Sequence, residues 1–205
     1  TLLHEAIPLT GTIASGTYAD ENIKTYSHGM FESVYDYPYL SSSANHIFDI
    51  TTGYASNSSL SSSASVQNSK KLNIYSQMAQ VLVGYDAAGS IQSFDRDGDL
   101  TSGDKINEAI FVNFSRLLTK DEMKKGSFTM SVLTAGATTA PSTIMTIADH
   151  GAADSYKVNS PAGEYGILYT GSAADAGTGV GLIYYQAGVA VLTGSVFAAS
   201  LMGPG

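Results

Sequence analysis

The feature that most constrains this chain is a series of short apolar segments in its second half, each set off by turn residues. SFTMSVLT, STIMTIAD, YGILYT, GLIYY and VAVLT fall between residues 127 and 193, and β-branched and aromatic side chains dominate them. Segments this short and this β-branched read as strands, and the Gly, Asp and Ser clusters between them read as turns. Gln186-Ala187-Gly188, between the last two, is a three-residue loop with a glycine placed for a bulged hairpin. Strands at such regular spacing predict a meander, and hence an antiparallel sheet or sandwich over the second half.

The first half is less uniform. Residues 1–30 mix Leu2, Leu3, Ile7, Leu9 and Ile13 with Gly, Thr and Ser, with no helix start and no sustained period. An extended N-terminal arm or edge strands fit that pattern. HIFDITTGY (46–54) reads as a strand, with Ile47, Asp49 and Thr51 on one face and Phe48, Ile50 and Thr52 on the other. The Ser-rich stretch 56–65 reads as a linker or as the lead-in to a helix. Leu72, Tyr75, Met78, Ala79 and Leu82 recur at helical spacing and predict one longer helix near 66–84, stopped by Gly84 or Gly89. IFVNFSRLL (110–118) fits a buried strand or a helix, because Ile110, Phe114 and Leu117 also share a helical face. Thr119 and Glu122 then form a T-x-x-E capping box, predicting a short helix TKDEMKKG that ends at Gly126. The tail SVFAASLMGPG reads as a short helix. The sum is a single domain over 1–205, mainly β with minor α (α+β).

Composition narrows the chemistry. The absence of Cys excludes a disulfide framework, a thiolate zinc site and a cysteine nucleophile. Only 14% of residues are charged, against about a quarter in a typical soluble domain. The net charge of -8 has the wrong sign for a general nucleic-acid partner. No apolar run is long enough to predict a membrane-spanning helix. The first residues lack both an initiator Met and the basic flank of a signal peptide, which reads as the start of a processed or longer chain.

The sharpest local pattern is FDRDGDLTSGDKINEA, with Asp95, Asp97, Asp99, Asp104 and Glu108. Alternating carboxylates in a turn suit calcium, a hard cation that takes six to eight oxygen ligands. Counting from Asp95 sets Asp97 and Asp99 correctly but puts Leu100 where the loop wants Gly, and Ile106 where it wants Glu. Counting from Asp97 restores Glu108 at the twelfth place and spoils the fifth and sixth, Thr101 and Ser102. The candidate metal set is thus Asp95, Asp97, Asp99 and Glu108, against a plain acidic turn. AGTGVGLIYY has the spacing G-x-G-x-G ahead of a strand, which reads as a turn rather than a phosphate cradle. His4, His28, His46 and His150 stand singly, and no G-x-S-x-G elbow occurs, so no catalytic residues and no enzyme are expected. Tyr35, Tyr37 and Tyr39 crowd around Pro38 as interface candidates, or else as a core strand and turn. Lys120, Lys124 and Lys125, interleaved with Asp121 and Glu122, read as a solvated helix face or a docking patch for an acidic neighbour.

The run IFVNFSRLLTKDEMKKGSFTMSV (110–132) resembles virion structural proteins of contractile-tailed bacteriophages of marine bacteria. IFDITTGYASNSS (47–59), GILYTG and GLIYYQAGVAVLTGS are similar to segments of that group as well. The resemblance implies a component of the particle, in the tail, baseplate or neck. Its partners would be copies of itself in a homo-oligomer and other virion proteins. It carries over no catalytic residues and no cofactor, and it places the chain in the virion; the charge and the lack of a long apolar run leave no nucleic acid and no membrane expected as partners. The alternative is a receptor- or glycan-binding β domain that uses the three tyrosines as stacking platforms and calcium in the Asp-rich loop.

Overall fold

In a computed structural model, which describes residues 19–62, 66–101, 103–116, 121–137, 140–171, 174 and 179–196, the apolar segments become one antiparallel sheet. The first half supplies β1 (Ile23–Thr25), β2 (Glu32–Tyr35) and β3 (His46–Tyr54), and β4 is Glu108–Phe114. The second half supplies β5 (Thr129–Ala137), β6 (Ala140–Ala148), β7 (Tyr165–Thr170), β8 (Gly179–Tyr184) and β9 (Val189–Thr193). Across the sheet the order is β1-β2-β3-β4-β9-β8-β7-β6-β5. The described strands run in from one edge with β1, cross to the other after β4, and wind back until β9 lies beside β4. A mainly β, α+β fold is therefore what forms. The sheet is not confined to the second half, because β4 pairs with β3 from Phe48↔Phe114 to Tyr54↔Glu108 and with β9 from Ala109↔Thr193 to Asn113↔Val189.

The central strands are apolar on both faces, and successive residues feed two cores. Phe111, Leu182, Tyr184 and Val191 enter one, while Val112, Ile183, Ala190 and Leu192 enter the other. The first core is covered by the long helix Val66–Leu82, which buries Ile74, Tyr75, Ala79 and Leu82 and packs Met78 beside them. Leu72, on the predicted face, is only half-buried. This helix sits close on the sheet at Gly53, where a Cβ would lie 2.9 Å from the Tyr75 backbone nitrogen and 3.0 Å from the Phe111 ring. It ends at Gly84, whose φ of 89° is left-handed and whose N–H donates to the Ala79 carbonyl at 2.9 Å. The second core is enclosed by the sheet itself. Val34 and Phe48 of β2 and β3 share it with Val132, Ile147 and Leu168 of β5 to β7. The Phe114 and Phe128 rings meet edge-on at 5.7 Å across it, so the sheet curls around this face.

The structure decides several readings that the sequence left open and revises one, the short helix at 119–126. The segment at 110–118 is a strand as far as Phe114, since Phe111 and Val112 must reach opposite cores and a helix would put them on neighbouring faces. No helix follows in the described part of TKDEMKKG. Residues 121–126 are turns and irregular backbone, and Thr119 and Lys120 lie outside the described residues. Burial of Met123 decides this: its N–H donates to the Tyr185 carbonyl at 3.1 Å, and that of Gly126 to the Asp149 Oδ2 at 2.7 Å. At the N-terminus, Ala19–Asn22 make one helical turn and β1 pairs with β2, so the described part of the arm is a sheet edge. Residues 1–18 lie outside the described residues, as do 63–65 of the Ser-rich stretch, in which Ser59–Ser62 form a 3₁₀ turn. A second 3₁₀ turn, Gly194–Val196, opens the tail, and the rest of it lies outside. No described helix is long and apolar enough to cross a membrane.

Candidate functional site

The Asp-rich loop leaves the body between Phe94 and Ile106, two core residues that are fully buried and joined by an Ile106 N–H to Phe94 carbonyl bond of 2.9 Å. Above them Asp95 and Lys105 pair as an antiparallel bridge. Within the loop each aspartate caps the next turn: the N–H of Asp97 donates to Asp95 Oδ1 at 3.3 Å, that of Asp99 to Asp97 Oδ1 at 3.0 Å, and that of Thr101 to Asp99 Oδ1 at 2.8 Å. This folding gathers Asp95, Asp97 and Asp99, with one carboxylate oxygen of each within 4.8 Å of the others. Leu100, whose position argued against the loop, adopts a left-handed φ of 62° without being Gly. Its side chain packs against the first core, which offsets the strain of roughly 1 kcal/mol.

Glu108 does not join the three aspartates. It stands opposite Tyr54 at the end of β4, and its carboxylate accepts a bond from the Ser58 hydroxyl. Its charge, after burial, helps push the Tyr54 phenol up. The counter-ion inside the loop is Lys105, whose ammonium is paired with the wholly buried Asp95. At the rim Arg96 pairs with Asp104. The Asp99 amide lowers the Asp97 pKa, but the hydrogen bond that protonated Asp97 donates to Asp95, burial and the charges of Asp95 and Asp99 together raise it. Asp99 is held below its ordinary value by the Thr101 amide and hydroxyl.

The interface candidates are divided among different settings. Tyr35 and Tyr39 are half-buried with ring centroids 6.4 Å apart, and Tyr35 also meets His46 at 5.5 Å. Tyr37 is 56% exposed and Leu40, in the same turn, 87%. Lys124 is exposed. Lys125 is engaged within the chain, its Nζ at 2.5 Å from Glu164 Oε2 and 3.6 Å from Glu122 Oε1, above the Tyr156 ring at 5.1 Å. The Glu164 contact above all raises its pKa. It is thus a brace between the 121–126 segment and Glu164, just ahead of β7, rather than a free docking charge.

Two polar clusters were not legible in the sequence. On β2 and β3, Ser33 Oγ donates to Asp49 Oδ1 at 2.5 Å, and His46 Nε2 lies 2.8 Å from the same oxygen. A nucleophilic triad needs the imidazole between serine and carboxylate. Here the carboxylate stands between, so His46 has no direct path to the serine proton. The second cluster centres on Asp149, 2% exposed, directly after β6. Its carboxylate accepts from the Gly126 N–H at 2.7 Å, the Phe128 N–H at 2.9 Å and the Tyr185 hydroxyl at 2.8 Å. Burial raises its pKa and outweighs those three donors. Tyr185 reaches it over Gly166, where a Cβ would lie 2.1 Å from the phenol oxygen. Only the strand order brings 126, 149, 166 and 185 together, so no local signal announces the cluster.

Asp149 holds the base of the β5–β6 hairpin, the feature that departs most from a closed domain. β5 and β6 pair with each other from Thr129↔Ala148 to Ala137↔Ala140, but β6 joins β7 at Ile147↔Thr170 and Ala148↔Tyr169 alone. From Ala140 to Thr146 the other side of β6 has no strand partner among the described residues. Seven residues at about 3.3 Å each carry the hairpin roughly 20 Å past its junction with β7. No family model matches the chain, and neither a curated protein nor a solved structure matches it.

Proposed function

We propose that this chain is a structural subunit of a bacteriophage particle, in the tail, baseplate or neck, that works by packing against copies of itself and against other virion proteins. The observation that carries the reading is the β5–β6 hairpin, in which the outer edge of β5 and the edge of β6 from Ala140 to Thr146 have no strand partner among the described residues. Isolated domains protect such edges, whereas assembly subunits cover them with neighbours. The resemblance at 110–132 supplies the particle. No catalytic step belongs to this reading.

The calcium-assisted glycan-binding reading is less well supported. Its loop already holds Lys105 against Asp95, Glu108 is spent on Ser58, and Tyr37 is not stacked with Tyr35 and Tyr39. Antibody raised against the chain and applied to purified contractile-tailed particles, imaged with gold, tests the assignment. Labelling at one fixed position on the particle supports it. Chain present in infected cells but absent from purified particles refutes it.

A further inference from the structure

We infer that the outer edge of β5 is the contact through which two copies of this chain join, their β5 strands pairing antiparallel about a two-fold axis. The inference rests on the assembly reading above and names its partner: a second copy.

Four observations lead there. β5 is the terminal strand of the sheet, and it spans nine residues against three for β1 at the opposite end. β1 also carries Lys24, and β2 behind it carries Glu32, so that end has the shortness and charge that natural edges use for protection. β5 has neither charge nor proline. The uncharged stretch runs further, since Ser127–Ala148 contains no Asp, Glu, Lys, Arg or His in a chain of net charge -8. Two acidic copies repel wherever charged surfaces meet, and this segment brings them together without that repulsion.

The backbone is set correctly for pairing. The Asp149 N–H donates to the Phe128 carbonyl at 3.3 Å, while the Phe128 N–H turns to the Asp149 carboxylate, so Phe128 and Asp149 point their backbone groups at each other and set the phase of the ladder. By the alternation of an antiparallel ladder, Met130 and Val132 then face β6, while Thr129 and Ser131 turn their N–H and C=O outward. Two identical edges related by a two-fold axis present donors to acceptors in both directions, so one segment is complementary to itself. The two sheets would run on as one.

The test uses the full chain, with light scattering for mass and amide exchange for the edge. The variants are Ser131→Pro, which removes an outward donor that the chain's own ladder does not use, and Thr129→Lys, which charges the edge. The wild type is expected at twice the 21.4 kDa of one chain, with the Thr129 and Ser131 amides gaining protection as concentration rises. Both variants are expected at one chain mass with an unchanged circular dichroism spectrum. Wild type and variants associating alike would overturn the edge pairing and leave the assembly reading standing. A wild type of single-chain mass would overturn the pairing whether those amides exchange freely or are protected by residues 1–18. Thr129→Lys keeps the outcome readable if Ser131→Pro fails to fold.

Discussion

Replacing Asp149 by Asn removes a charge while nearly preserving shape, and it tests whether this carboxylate holds the projecting hairpin to the sheet. Its Oδ2 receives the Gly126 N–H and the Tyr185 hydroxyl, and its Oδ1 receives the Phe128 N–H. An amide offers a single oxygen. Turned toward Gly126 and Tyr185, it points its NH₂ at the Phe128 N–H, donor against donor. The opposite orientation strands the Gly126 N–H instead and turns the Tyr185 hydroxyl from donor to acceptor. The better choice leaves one donor unsatisfied, costing about 1–3 kcal/mol, and weakens two charge-assisted bonds. Relief of charge burial, the cause of the raised pKa, returns part of this. A net loss of about 2 kcal/mol is expected. With a urea slope of about 2 kcal/mol per molar, the midpoint falls by roughly 1 M. Tyrosine fluorescence and far-ultraviolet circular dichroism report the transition in a chain without Trp. Amide exchange should show Phe128 losing protection ahead of the β8–β9 core. An unchanged midpoint with Phe128 still protected would refute the role assigned to Asp149.

Three further outcomes follow from the same structure. Because burial raises the Asp149 pKa above 3.8, the part of its stabilising contribution linked to that shift is complete below that value and is lost as pH rises through the folded-state pKa, while the hydrogen bonds to the carboxylate remain. The stability difference between wild type and Asp149→Asn should accordingly shrink as pH rises through that window; a difference that grows with pH would reverse the sign of the shift. Gly53→Ala forces a Cβ to 2.9 Å from the Tyr75 backbone nitrogen and should cost about 1–2 kcal/mol by urea denaturation, overpacking exceeding the entropy gained in the unfolded chain. Equal or higher stability would mean that the helix stands further from β3. Lys105→Met leaves the buried Asp95 without its counter-ion and should lower stability by about 3 kcal/mol, read as a fall in melting temperature, whereas an exposed control such as Lys124→Met should change little.

What the sequence determined by itself is local. Short β-branched and aromatic runs bounded by turn residues placed β3 and the five strands of the second half, and a period of 3.6 placed Tyr75, Ala79 and Leu82 on the buried face of the long helix ending at Gly84. These patterns are legible because each residue's side depends only on backbone repeat. The ambiguity at 110–118 shows the limit of that reading, since a short apolar run fits both periods. Burial of Phe111 and Val112 in opposite cores chose the strand. Residues 121–126 depart from the predicted helix for the same kind of reason, as Met123 and Gly126 give their amides to Tyr185 and Asp149. The tertiary structure alone decided the strand order that sets β4 between β3 and β9, the separation of Glu108 from the three aspartates, the Lys105 counter-ion and the Asp149 anchor. Each depends on contacts between residues distant in the chain, chosen by packing and by the need of buried polar groups for partners, and no local period records such choices.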